Sequence, residues 1–354
     1  AAALPVFVLK EALANPELTW EKSYTTNFGI DMTLLKNRID LTAEAYYTHT
    51  DGVLYRRKMP FTSGGFDAKT PYTKASNIAK TENRGFELTI NTRNINTSSF
   101  TWNSSVIFTM AKEKLLAINL GNNEAATQLI SEGLFPGNPL KTKYGYKKIG
   151  IWQYDDSTEA KLYGAKPGDI RLATVPGKLA NGDSDNGVHA YSNKDRMVLG
   201  HENPNFYLGF QNSFSYKNFD LTIFMTMRYG QMIEAQLLGY WNNTAQPKSY
   251  NYWMPNNPTN DFPRPGSSLS NTYASALQMV DGSYIKVKNL TLGYTLPEAL
   301  SNKIAISRLR VYATAQNPLI FAKNPLLKDV DPETGGTDSF PLYKQIVFGL
   351  NVSF

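Results

Sequence analysis

Cysteine is absent from the 354 residues, which excludes disulfides and thiolate metal sites but leaves the compartment open. Histidine occurs only at His49, His189 and His201, without metal-ligand spacing. No run approaches the roughly 18 apolar residues that a membrane helix needs, and mean hydropathy is −0.37. Charged residues make up 19%, below the usual share of about a quarter. There is no phosphate-binding glycine loop and no serine-centred nucleophile elbow. Asp155 and Asp156 are sequence neighbours whose side chains diverge, not the facing carboxylate pair of a glycoside hydrolase. An enzyme is therefore not expected. The first twenty residues lack a basic segment ahead of an apolar core and lack a cleavage pattern after one. They do not read as a signal peptide, so the protein is either cytosolic or has its true N-terminus elsewhere.

What the chain has is aromatic side chains, 12% of residues, with 21 tyrosines exceeding 18 phenylalanines. Such rings suit half-wet positions, where an apolar body carries a polar tip. Net charge is +6, but the cations are scattered. Arg56-Arg57-Lys58, the densest run, reads as a solvated loop face, so nucleic acid is not an expected partner.

The informative pattern is alternation. Successive strand side chains point to opposite faces, so a period of two marks one apolar and one wet face. Ile346, Phe348, Leu350, Val352 and Phe354 share a face opposite Gln345, Val347, Gly349, Asn351 and Ser353. Similar stretches recur near residues 20–34, 39–48, 85–90, 100–110, 206–216, 219–229, 284–296 and 309–316. In the 284–296 stretch the apolar set moves from odd (Ile285, Val287) to even (Leu290, Leu292). A β-bulge, or a change from lipid to water contact, would explain that.

These stretches predict about nine long strands. Short connections near Lys36-Asn37, Asn96–Ser99, Lys217-Asn218 and Pro297–Ser307 alternate with long ones at 53–82, 112–204, 235–282 and 323–342. Outer-membrane barrels alternate short periplasmic turns with long external loops in this way. The wet face carries Asp31, Glu44, Arg228, Arg308 and Arg310, too polar for a protein core and suited to a water-filled lumen. The fold class expected is all-β, a transmembrane antiparallel β-barrel with long extracellular loops. Bacterial single-chain barrels close with an even strand number, and an open sheet in lipid strands two edges of unpaired backbone. An odd count leads to the expectation that residues 1–354 are a fragment of a longer polypeptide.

Several segments, in order, resemble one family, the SusC/RagA-type TonB-dependent outer-membrane transporters of Bacteroidetes. They are NPELTWEKSYTTNFGID (15–31), AYYTHTDGVL (45–54), NRGFEL (83–88), YGYKKIGIWQ (144–153), PGDIRL (167–172) and NPNFYLGFQNSFSYKNFDLTIFM (203–225). YWMPNNPTNDFPR (252–264), DGSYIKVKNLTLGYTLP (281–297), LRVYATAQNPLIF (309–321) and FPLYKQIVFGLNVSF (340–354) complete the order, with Lys344 where an arginine is common. The resemblance implies a 22-stranded barrel plugged by an N-terminal domain, and 1–354 would be its C-terminal part. The plug and the first strands have no counterpart in these residues. It implies a SusD-like surface lipoprotein as lid, a TonB complex acting through the plug, and outer-membrane lipid and lipopolysaccharide as surroundings. A dimer of transporter–lipoprotein pairs is a further expectation. The cargo would be oligosaccharides, with peptides as the alternative. A passive outer-membrane barrel and a soluble carbohydrate-binding or hydrolytic β-protein are the rival classes.

Candidate site residues follow from these readings. Tyr240, Trp241, Tyr252 and Trp253 lie in an aromatic-rich external segment. Their rings could stack on sugar faces, or simply pack the loops. Arg228, Arg308 and Arg310 face the inferred lumen, where they could meet the plug, water or acidic substrate. Asp183 and Asp185 in NGDSDNG (181–187) alternate as calcium ligands do. Asn186 stands where the sharp-turn glycine is expected and no glutamate closes the loop, so an Asx-rich turn is the alternative. No cofactor and no other metal are expected. Phe354 resembles the terminal aromatic by which barrel substrates are recognised for assembly.

Overall fold

The computed structural model describes residues 12–59, 62, 72–118, 129–130, 132–175, 190–239, 250–301, 303, 306–337 and 342–354. The described residues fall into two compact units, Ala1–Gly29 with Glu44–Phe86 and Ala111–Leu140, and Ile30–Ala43 with Glu87–Met110 and Lys141–Phe354. Four long strands, β2 (Lys22–Leu34), β3 (Ile39–Lys58), β4 (Thr73–Asn96) and β5 (Phe100–Ile118), contribute residues to both.

In the first unit a short strand, β1 (Ala12–Leu13), pairs in parallel with Thr73 and Lys74 of β4. The Asn77 side-chain amide donates to the carbonyls of Thr19 and Gly52, while its oxygen accepts from the Thr19 N–H. Asp51 forms an ion pair with Lys80 at 2.9 Å and lies 3.2 Å from His49. The Tyr46 ring fills the space over Gly85, where an added Cβ would stand 2.3 Å from the ring. β3 and β4 run well into the segment 53–82 that alternation assigned to a loop. Their ends carry polar residues on both faces, so the period of two fades although the backbone ladder continues.

The second unit holds the remaining long strands, β10 (Phe206–Tyr216), β11 (Phe219–Tyr229), β14 (Tyr284–Thr295), β15 (Arg308–Ala322) and β16 (Gln345–Ser353). The long-strand order is β16-β15-β14-β11-β10-β5-β4-β3-β2, and the pairings from β5 to β16 are antiparallel. All nine expected strands are present. Lys217 takes a left-handed φ of 52° in the two-residue turn joining β10 to β11. Leu35, Lys36 and Asn37 do the same between β2 and β3.

The apolar face is the exposed one. Phe348 is 79% and Ile346 68% accessible, a cost that water would penalise and lipid would not. Phe100, Tyr216, Phe219 and Tyr294 align in register across four strands beside the short turns, with the Phe219 and Tyr294 rings 4.7 Å apart. At the opposite ends the Phe206 and Tyr229 rings stack at 5.3 Å. Phe219 and Tyr229 are ten residues apart on β11. At about 3.3 Å per residue and a tilt near 45°, the two aromatic levels lie about 23 Å apart. That matches the apolar band of about 25 Å between the aromatic girdles of an outer-membrane barrel.

The shift of parity in β14 is a bulge. Phe224 pairs with Asn289 and Met225 with Val287, so Lys288 is the extra residue. Against β15 the register also breaks at Lys288, but there Asn317 and Pro318 stand opposite it, so the extra residue lies on β15. One inserted residue keeps Ile285 and Leu290 on the same apolar face, as bulges do.

The long connections are not structureless. They contain β6 (Thr142–Gly145), β7 (Lys148–Ile151), β8 (Ile170–Leu172), β9 (Met197–His201), β12 (Met232–Glu234) and β13 (Met279–Asp281). These pair as three hairpin-like ribbons, β6 with β9, β7 with β8, and β12 with β13. Their core contains Ile170, Ile233, Leu238, Phe262, Leu277, Val280 and Leu327. The loops thus form a folded layer with its own hydrophobic core.

Candidate functional site: the polar face and the loop layer

The polar face of the second unit is internally paired. Arg310 on β15 reaches across β14 and donates to both carboxylate oxygens of Asp220 on β11, at 2.9 and 2.6 Å. It passes over Gly293, whose missing side chain makes the crossing possible. The guanidinium also lies 5.0 Å above the Tyr312 ring. Arg228 sits between two rings, 5.5 Å from Tyr207 and 5.9 Å from Tyr284. Arg308 is exposed at the start of β15. All three arginines therefore occupy the polar face, but two are engaged by neighbours of their own sheet.

Farther along the same face Lys286 is buried to 1%. Its ammonium contacts Asp331 at 2.7 Å and Glu333 at 2.6 Å, and Lys288 contacts Glu333 at 2.7 Å. Asp331 caps the short 3-10 turn Pro332–Thr334 through the Glu333 N–H. The segment after β15 is thereby fastened onto the polar face of β14. Burial acts to raise the Glu333 pKa, but hydrogen bonds from Lys286 and Lys288 outweigh it and hold the carboxyl below its ordinary value. The bulge at Lys288 lies within this cluster, a signal that was visible in the sequence although its ionic partners were not.

The loop layer encloses its conspicuous aromatics. Trp253 is 3% exposed, and its indole N–H donates to Gln153 at 2.8 Å. The ring lies against Gly168, at a φ of +86°, where an added Cβ would stand 2.5 Å away. Tyr252 is half-buried with Tyr250 and Phe262. Burial, followed by the neighbouring Tyr250, pushes its hydroxyl up to about 12. Both residues are built into the loop framework. The ring left open beside them is Tyr154, 55% exposed and 5.3 Å from Trp253, a residue that sequence reasoning did not single out. Asp169, buried beneath this layer, is held by Arg264 at 2.9 Å. Tyr240, Trp241, Asp183, Asp185 and His189 lie outside the described residues. No group of three or more His, Cys, Asp or Glu with metal-holding geometry occurs among the described residues.

Comparison with known proteins places this geometry. Residues 9–317 match the family model described as TonB dependent receptor-like, beta-barrel. TonB-dependent receptor P3 of Formosa agariphila is 30% identical over an alignment 375 positions long, covering 96% of this chain and 35% of that protein. TonB-dependent receptor SusC of Bacteroides thetaiotaomicron is 26% identical, covering 96% of this chain and 32% of that protein. Among solved structures, the RagAB peptide transporter superposes with a TM-score of 0.72 at 23% identity, over 97% of this chain and 36% of that one. The chain thus spans about a third of the length of the relatives it matches. The apolar exposed face, the two aromatic levels and these matches agree: the chain belongs to the TonB-dependent receptor β-barrel family of the outer membrane.

Proposed function

We propose that the whole protein imports oligosaccharides across the outer membrane, driven through TonB, and that residues 1–354 supply the C-terminal part of its barrel. The observation that carries this reading is the in-order match of nearly the whole chain to TonB-dependent receptors, joined to a sheet with one lipid-suited and one wet face. A plug and the remaining strands come from the rest of the polypeptide. A SusD-like lipoprotein sits over the folded loop layer as a lid, and pairs of such complexes associate as dimers. Arg228, Arg308 and Arg310 face the plug and lumen water. Tyr252 and Trp253 hold the loop framework beneath the cargo, and Phe354 serves barrel assembly.

Peptide cargo is the second reading, favoured by the shared fold with the RagAB peptide transporter. A strain lacking the gene separates the two. Lost growth on defined glycans, with peptides still used, supports oligosaccharide import, and the reverse supports peptide import. Unimpaired growth on every nutrient of both classes would count against import altogether.

A further inference from the structure

Beside β7 the loop layer holds a cleft of about 300 Å³. Its walls include Lys148, Asn260, Leu277, Val280, Asp281 and Asn324. The polar groups of this cleft are unbalanced. Asn260 Oδ1 accepts the Ile151 N–H at 2.9 Å, and Asn324 Oδ1 accepts the Leu326 N–H at 3.0 Å. Those two bonds fix both amides with the oxygen toward the backbone, and among the described residues neither amino group has a protein acceptor. Gly150 permits the first arrangement, since a Cβ there would lie 3.1 Å from Asn260 Oδ1.

Lys148 adds a third donor. Its ammonium donates to the Asp261 carbonyl at 2.5 Å, and among the described residues no carboxylate oxygen lies within 4.0 Å of it. Three other cations near it have carboxylate partners. Arg171 has Asp156 and Glu159, Arg264 has Asp169, and Lys323 has Asp281 at 2.7 Å. Asp281 is the one carboxylate lining the cleft, and it is spent on Lys323 and on the Ser283 N–H and hydroxyl. Burial, only partly offset by the Asp261 charge, draws the Lys148 amine down to about 8. A nearby anion would remove that penalty. The cleft thus presents one cation and two amide donors over an apolar wall of Leu277 and Val280, and its lining carboxylate, Asp281, is already engaged.

We propose that this cleft binds a carboxylate group of the cargo, with Lys148 as counter-charge and the amino groups of Asn260 and Asn324 as donors. The inference rests on the import reading and narrows it to solutes that carry a carboxylate. Two sources share that chemistry, an acidic sugar and the C-terminus of a peptide.

The test is binding to the purified full-length transporter. The probes are a galacturonic acid oligomer against a neutral galactose oligomer, and an N-acetylated apolar peptide with a free C-terminus against its amide. At least one carboxylate probe should bind tenfold or more tightly than its neutral counterpart, and whichever pair shows the preference identifies the source. Lys148→Met, and separately Asn260→Asp, which keeps the acceptor for Ile151 and replaces the donor by a negative oxygen, should each reduce the preference below twofold. Lys148→Arg should keep it. On the wild-type protein alone, the preferred probe should slow acylation of the Lys148 amine. Equal binding of acid and neutral probes, an unchanged preference in folded Lys148→Met protein, or unslowed acylation would each overturn the proposal. Growth of the deletion strain reports on import separately, so failure of that reading is distinguishable from failure of the cleft.

Discussion

Arg310 and Asp220 are joined across an intervening strand, with two hydrogen bonds of 2.9 and 2.6 Å passing over Gly293. Neighbouring strands lie about 4.8 Å apart, so a contact between next-nearest strands needs a long, planar, two-pronged donor. Arg310→Lys keeps the charge but loses the paired geometry. It should cost about 1 kcal/mol, the exposure of both groups keeping the figure low. Thermal unfolding of the full-length barrel, with Asp220→Asn and the double variant completing a cycle, measures the coupling. A coupling indistinguishable from zero would show that the pair is ornamental.

Gly293→Ala tests the same crossing from below. The new Cβ would stand 2.4 Å from Arg310 Nη2 and 2.5 Å from Asp220 Oδ1. The pair must part or β14 must shift, so the loss should exceed that of Arg310→Lys, at about 2 kcal/mol. If Gly293→Ala in an Arg310→Ala background is harmless while Gly293→Ala alone is not, the steric origin is established.

Lys288 is the extra residue of the bulge against β11. Deleting it would restore an unbroken ladder to β11 with Ile285, Val287, Leu290 and Leu292 still on one face, but would leave Asn317 and Pro318 of β15 with no residue opposite. The pairing of β14 with β15 must then break or shift. Assembled barrel in outer-membrane fractions should fall severely, whereas Lys288→Gln, which keeps the count, should leave assembly near normal. Comparable assembly of the two variants would show that the register is set elsewhere.

The cluster of Lys286, Lys288, Asp331 and Glu333 should make anchoring of the segment after β15 sensitive to acid. Glu333 has its pKa lowered in the folded state from an ordinary 4.5. Its contribution is therefore complete above that value and is lost as pH falls through the lower folded value. Protease cleavage within 325–337 should be suppressed at neutral pH and rise as the pH falls below the ordinary 4.5 and through the lower folded value. Lys286→Ala removes the central cation from two carboxylates and should cost about 3 kcal/mol even at neutral pH. Cleavage independent of pH in the wild type would refute the acid sensitivity.

Trp253 and Tyr154 should differ although their rings touch. Truncating the enclosed Trp253 to alanine should cost about 3 kcal/mol or more and loosen the loop layer. Tyr154→Ala removes a mostly exposed ring and should stay within about 0.5 kcal/mol. Limited proteolysis of residues 141–175 compares them, and equal susceptibility would contradict the burial described for Trp253.

Legibility from sequence followed the solvent. Where a strand has lipid on one side and water on the other, as at Phe219–Tyr229, the two environments write a strict alternation, and both strand and facing could be read. The parity change in β14 was readable for the same reason, and its explanation by a bulge was one of two that the residues allowed. Where both faces meet polar surroundings, as in the outer halves of β3 and β4, alternation fades and the strands were read as loops. The folded loop layer was equally hidden. Its ribbons are three to five residues long, too short for a period to emerge.

The sequence by itself determined the long strands, the positions of their turns, the apolar face and the polar face, because these depend on neighbours two residues apart. It put Arg310 on the wet face and Trp253 in a ring-rich loop. Only the tertiary structure decided that Arg310 is bound to Asp220, ninety residues away, and that Trp253 is covered by a segment a hundred residues distant. It alone showed that Lys148 shares a cleft with Asn260 and Asn324. Pairings of that kind depend on sheet order and loop closure, and no local pattern encodes them.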